Sequence, residues 1–180
     1  MLILSGAPAL SDFRLDKLDS TLRSRLGPVL GLETRYLHFV DLERDLTRDE
    51  AGVLESLLRY GPATRVGAPR GEVLLVVPRF GTVSPWSSKA TDIAHVCGLT
   101  AVRRIERGIA YYVRTERPWS EDQWAAFAAL VHDRMTESVL RDPADAGELF
   151  KHAAPKPLTT VPVLANGRAA LEAANGSLGL

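Results

Sequence analysis

Thr47-Arg48-Asp49-Glu50 and Ser120-Glu121-Asp122-Gln123 are one local device written twice, 73 residues apart. In each, a hydroxyl side chain is followed three residues later by a carboxylate or amide. That spacing is a capping box, which satisfies orphan backbone donors at a helix start. Behind Thr47, the residues Val53, Leu54, Leu57 and Leu58 form an apolar stripe closed by Gly61-Pro62. Behind Ser120, the residues Trp124, Phe127, Ala128, Val131 and Met135 predict a long helix with these side chains facing inward. Working outward, each box is preceded by a strand-like run, 32–40 in the first case and 102–114 in the second. Gly108 interrupts the latter and predicts a bulge or bend.

The pattern also repeats further upstream. Ser11 opens a helix with Leu15, Leu18, Leu22 and Leu26 on one face, stopped by Gly27-Pro28. Ser84-Pro85 opens another, with serine at the N-cap and proline at N1. Trp86, Ala90, Ile93 and Cys97 share a face of it, and Gly98 is placed to end it. Before these helices lie two apolar runs, 2–4 and 73–77. The second is continuous, as expected of a strand buried on both faces. The order is therefore strand, helix, strand, helix, stated twice.

This reading predicts an α+β fold: a pseudo-twofold repeat of strand-helix-strand-helix units, with a ferredoxin-like antiparallel sheet covered by helices. A doubly wound parallel sheet is the alternative. The predicted domain is 1–141, built from pseudo-repeats 1–62 and 72–141, with a loop at 63–71 carrying Gly67, Pro69 and Gly71. Asp142-Pro143 breaks the last helix. Residues 142–180 read as a linker, with Ala154-Pro155-Lys156-Pro157 at its centre, an extended stretch at 158–164 and a helix at 166–174. The ending reads as a cut within a longer polypeptide.

The chain of 180 residues is 46% hydrophobic and has zero formal net charge. That composition affords a core and lacks the basic footprint of a nucleic-acid binder. No apolar run approaches the length of a membrane span. One cysteine, Cys97, excludes an intrachain disulfide and agrees with a reducing, cytoplasmic compartment. Neither common phosphate-binding loop occurs, nor does a nucleophile elbow. The four histidines, His38, His95, His132 and His152, have no zinc-site spacing. Cys97 reads as a buried thiol, and Asp133 with Glu137 as a solvated acidic face. No catalytic residue and no metal ligand is assigned.

One stretch stands out: Pro78-Arg79-Phe80-Gly81-Thr82-Val83-Ser84-Pro85-Trp86-Ser87-Ser88-Lys89-Ala90-Thr91-Asp92. It concentrates hydroxyls, two cations, a tryptophan and an aspartate at a strand-to-helix turn. The free amides of the helix start, with Ser87, Ser88 and Lys89, could hold an anion. Equally, Ser84 is a cap, Trp86 a core residue, and Arg79 with Asp92 an ion pair.

Residues 78–95 closely resemble the N-terminal signature of the large, single-chain formylglycinamide ribonucleotide amidotransferases. Gly6 to Ser11, Tyr60-Gly61-Pro62, Arg104 to Tyr112 and His132 to Glu137 extend the resemblance along the chain. Phe80 departs from it, standing where proline is expected. The resemblance implies a non-catalytic docking domain of an enzyme that converts formylglycinamide ribonucleotide to its amidine in purine biosynthesis, using ATP, magnesium and glutamine-derived ammonia. It implies synthetase and glutaminase domains of the same enzyme as partners, and places ATP and magnesium there, with no cofactor in this portion. It also implies that Arg79, Thr82, Ser84, Trp86, Ser87, Ser88, Lys89 and Asp92 form an interdomain contact, and that an isolated domain could self-associate through it. A small-anion or nucleotide-binding module is the alternative function.

Overall fold

The computed structural model describes residues 1–60, 67–151 and 157–178. The predicted Gly61-Pro62 stop, residues 63–66 of the 63–71 loop and the Ala154-Pro155-Lys156 linker lie outside these residues, as does His152. The first unit comprises β1 (Leu2–Ser5), α1 (Asp12–Leu26), β2 (Gly31–Leu42) and α2 (Arg48–Leu57). The second comprises β3 (Glu72–Pro78), α3 (Pro85–Val96), β4 (Val102–Arg114) and α4 (Glu121–Val131). A fifth strand, β5 (Glu137–Leu140), a 3-10 helical segment (Pro143–Phe150) and α5 (Val163–Leu178) follow.

All strand pairs are antiparallel, in the order β1-β2-β4-β3-β5. The parallel alternative is therefore excluded. The register carries the repeat. Leu2 pairs with Val40 in the first unit, and Leu74 pairs with Tyr111 in the second, 72 and 71 residues on. The pseudo-twofold passes between β2 and β4, at the Leu37–Gly108 pair. Both capping boxes are formed, at Thr47 and at Ser120. Each contributes about 1 kcal/mol to its helix.

Side chains alternate across the sheet with the period of two that strands impose. On one face, Leu32, Leu74, Val76, Tyr111 and Val113 pack beneath α1 and α4, which contribute Leu22, Trp124 and Phe127. Edge-to-face contacts join Trp119, Trp124, Phe127 and Tyr111 there. Further along the same face, Val40, Val102 and Ile105 pack beneath α2 and α3, which contribute Leu54 and Ala94. The opposite face carries Leu37, Phe39, Leu75, Val77 and Ala110, against Ala146 and Leu149 of the 3-10 segment. Burial of β3 on both faces follows directly, as its continuous apolar run requires.

Several local expectations are corrected. The fourth helix ends at Val131, and Met135 is 73% exposed. Asp133 and Glu137 do not share a helical face; Glu137 begins β5, and its Oε2 accepts from the Asp133 amide at 2.8 Å. Gly108 marks no bulge against β2; the register shifts instead at Asp41/Leu42. Glycine is needed at 108 for another reason. A Cβ there would lie 2.7 Å from the Val76 carbonyl oxygen and 2.9 Å from Val77 Cγ1. Asp142-Pro143 does not break the fourth helix, which has already ended at Val131; Asp142 instead caps the 3-10 segment, accepting from the Ala144 amide at 2.8 Å. Residues 158–162 form no strand, and the last helix begins at Val163.

Candidate functional site

The 78–92 stretch forms the turn from β3 into α3, and two groups of β4, the buried Glu106 and the partly buried Arg104, clamp it in place. Ser84 is the N-cap: its Oγ accepts from the Ser87 amide at 3.0 Å and donates to Glu106 Oε2 at 2.8 Å. The Ser84 amide also donates to Glu106, at 3.3 Å. Glu106 is completely buried and ion-paired to Arg104. Arg104 donates further to the Thr82 carbonyl at 2.7 Å and the Leu149 carbonyl at 3.1 Å. A buried carboxylate is tolerated only with such a full set of donors. One ion pair thus ties together β4, the turn and the 3-10 segment.

The eight predicted contact residues divide by this geometry. Ser84 faces the clamp. Ser87 is fully buried, its Oγ without a partner among the described residues. It is not placed to meet an anion from solvent. Trp86 is half-buried and lies over Arg107 and beside His38. Arg79, Thr82, Ser88, Lys89 and Asp92 are exposed. Arg79 does not pair with Asp92; it donates to the Met135 carbonyl at 3.3 Å. Ser88, Lys89 and Asp92 make no side-chain hydrogen bond or ion pair among the described residues. Large apolar side chains stand exposed on the same unit: Val83 at 55%, Ile93 at 46% and Val96 at 88%. Ile93 and Cys97 therefore leave the predicted inward face, and the Cys97 thiol is exposed rather than buried. Ala94 takes the inward position instead.

Between the two helix pairs lies a cluster that no linear spacing signals. His38 and Arg107 are cross-strand partners. The Arg107 guanidinium sits 4.3 Å from the Tyr36 ring centroid and 4.7 Å from that of Trp86. Its Nη1 donates to the Tyr60 hydroxyl at 3.1 Å, and that hydroxyl lies 2.6 Å from His38 Nε2. Burial, with the Arg107 charge adding to it, lowers the His38 pKa to about 4. The imidazole is neutral at physiological pH and its Nε2 accepts from Tyr60. Burial raises the Tyr60 pKa, so the phenol keeps its proton. Finding this cluster from sequence requires the β2–β4 register, which the sequence does not print.

The pattern that defines the formylglycinamide ribonucleotide amidotransferase N-terminal family matches residues 35–150. That is more than half of the 180 residues. The chain belongs to this family. As a formylglycinamide ribonucleotide amidotransferase N-terminal domain, it has a role in that enzyme of purine biosynthesis. The match runs from β2 to Phe150, the last residue of the 3-10 segment. It therefore takes in the clamp, the turn and the Arg107 cluster together. No helix among the described residues is long and apolar enough to cross a membrane.

Proposed function

We propose that this domain is a non-catalytic docking element of formylglycinamide ribonucleotide amidotransferase, a glutamine-dependent ligase. The observation that carries the reading is the outer surface of the β3–α3 unit. There Ser88, Lys89 and Asp92 lack partners among the described residues, and Val83, Ile93 and Val96 are exposed beside them. Mixed apolar and unpartnered polar surface is the composition of a protein contact. The Glu106–Arg104 clamp holds that surface rigid, so little ordering cost is incurred on docking.

In this reading the surface meets the synthetase and glutaminase domains of the same cytoplasmic enzyme. ATP and magnesium belong to the synthetase domain, and ammonia released by the glutaminase domain travels between well-packed walls that this domain helps to seal. The clamp positions Ser84 and Trp86; Arg79, Thr82, Ser88, Lys89 and Asp92 make the contact. Ser87 supports it from within.

The test is amidotransferase activity in three samples: this chain, a separately produced remainder of the enzyme, and the two mixed. Activity that requires the mixture supports docking. A folded chain and a soluble remainder that stay inactive together, or a remainder fully active alone, would overturn it. In the complete enzyme, Trp86→Ala should raise the glutamine hydrolysed per product formed; unchanged coupling would remove Trp86 from the contact.

A further inference from the structure

The Arg107 cluster opens into a groove of about 530 Å³ that borders the docking surface and shares Arg79, Thr82 and Val83 with it, but whose floor is formed by β2 and β4. The groove exists because β3 leaves β4 after the Val76–Ile109 pair and goes on to pair with β5. Its floor includes Tyr36, Arg107, Gly108 and Ile109; Arg79 and Glu137 also line it. The volume is that of a small-molecule site.

Two arginines therefore line one recess, and neither has a carboxylate within ion-pair distance among the described residues. Among the described residues Arg107 makes a single hydrogen bond, to Tyr60, which leaves most of its donors unused there. The groups around it cannot neutralise it. Tyr36, Tyr60 and Trp86 offer ring faces, and His38 is uncharged. Aromatic faces hold a guanidinium and fix its plane without using up its N–H donors. Glu137 is engaged at Oε2 by the Asp133 amide. Elsewhere in this fold a buried charge is matched by an opposite one, as Glu106 is by Arg104. Arg107 is half-buried, oriented and unmatched.

We propose that this groove is a binding site for a small oxyanion-bearing molecule, a carboxylate or a phosphate monoester, held by the planar fork of Arg107 with Arg79 at the rim. The apolar walls, Val76, Val83 and Met135, take the body of such a ligand. The proposal does not depend on the docking role and is tested on the 180-residue chain alone.

The test is a titration of the 15N-labelled chain with inorganic phosphate and, separately, citrate at matched ionic strength, followed by amide chemical shifts. Saturable shifts centred on Arg79, Ser84, Arg107 and Gly108, with a Kd of about 1 mM or tighter, are expected for at least one probe. Which probe saturates distinguishes phosphate from carboxylate chemistry. Arg107→Gln should weaken that binding about tenfold or more, and Arg168→Gln, an exposed arginine of α5, should leave it unchanged. Non-saturating or scattered shifts with both probes, or equal affinity in a folded Arg107→Gln chain, would overturn the site. Should that variant not fold, the location and saturation of the shifts in the unaltered chain decide the matter alone.

Discussion

Replacing Gly108 by alanine sets two effects of opposite sign against each other. Gly108 lies in the middle of β4 with a backbone conformation open to any L-residue. On conformational grounds alone, alanine should stabilise by about 0.5–1 kcal/mol, because glycine loses more freedom on folding. The packing says otherwise. The new Cβ would stand 2.7 Å from the Val76 carbonyl oxygen, a backbone atom in a paired strand, and 2.9 Å from Val77 Cγ1. Relief requires β3 to move from β4, and overpacking of this kind costs about 1–3 kcal/mol. The clash involves backbone on a strand held from both sides, so the upper part of that range applies, and a net loss of about 1–2.5 kcal/mol remains. For a chain of this size, that lowers Tm by about 3–8 °C. Gly52 is the internal control: it lies inside α2, where an added Cβ meets nothing within 4 Å. Gly52→Ala should raise stability by about 0.5–1 kcal/mol. Thermal and urea denaturation of both variants measures the contrast. A Gly108→Ala chain as stable as the parent, beside a stabilised Gly52→Ala chain, would refute the close β3–β4 approach.

Other outcomes follow from the same packing. Ser84→Ala should destabilise more than Thr47→Ala, which costs about 1 kcal/mol, because it also strips a donor from buried Glu106; equal urea midpoints would contradict the clamp. Phe127→Ala, deleting a fully buried ring at the centre of the α1/α4 core, should cost about 3–5 kcal/mol, read from denaturant unfolding. His38 is lowered from 6.5 to about 4 in the folded chain, so only the unfolded chain takes up its proton as pH falls below about 6.5. Stability should therefore decline between pH 6.5 and 4, by roughly 2–4 kcal/mol, and His38→Gln should flatten that part of the profile. Glu50, held by Arg44 and the Thr47 amide, is lowered to about 2, so the stabilisation it gives is lost in a separate window, as pH falls from about 4.5 towards 2.

The parts of the fold legible in the sequence were those fixed by local chemistry. Thr47 with Glu50 and Ser120 with Gln123 state their capping boxes within four residues, and the Val73–Val77 run announces a strand with two buried faces. β5 was hidden because Met135 falls four residues after Val131 and so continues the helical stripe. What ends the helix is the turn at His132 and Asp133, where a side chain from Glu137 supplies the amide's partner. The segment 143–150 looked like a tail because its burial depends on a sheet face assembled from distant strands. At the candidate site, Ser84 was recognisable as a cap, but its second partner, Glu106, is 22 residues away. Arg107 and His38 meet only through strand pairing, and no spacing rule connects residues 69 positions apart.

The ladder between β2 and β4 also constrains how the chain is made. It joins residues 31–42 to residues 102–114, so the whole of 43–101 must be synthesised before the first rung can form. Until then the inner edge of β2 presents unpaired amides and carbonyls, flanked by side chains as apolar as Phe39 and Val40. Each half is thus an unfinished surface that only the other half can close, and long-range pairing of this sort is slow to nucleate. We expect residues 1–62 produced alone to aggregate or remain unfolded, and to gain protected β2 amides when residues 67–151 are supplied in trans. A soluble, exchange-protected first half would show that the repeat is two domains side by side. Both expected outcomes together would mean that the first half of the growing chain stays unprotected until the second half emerges, which makes the rate at which the ribosome reaches Arg114 a determinant of yield.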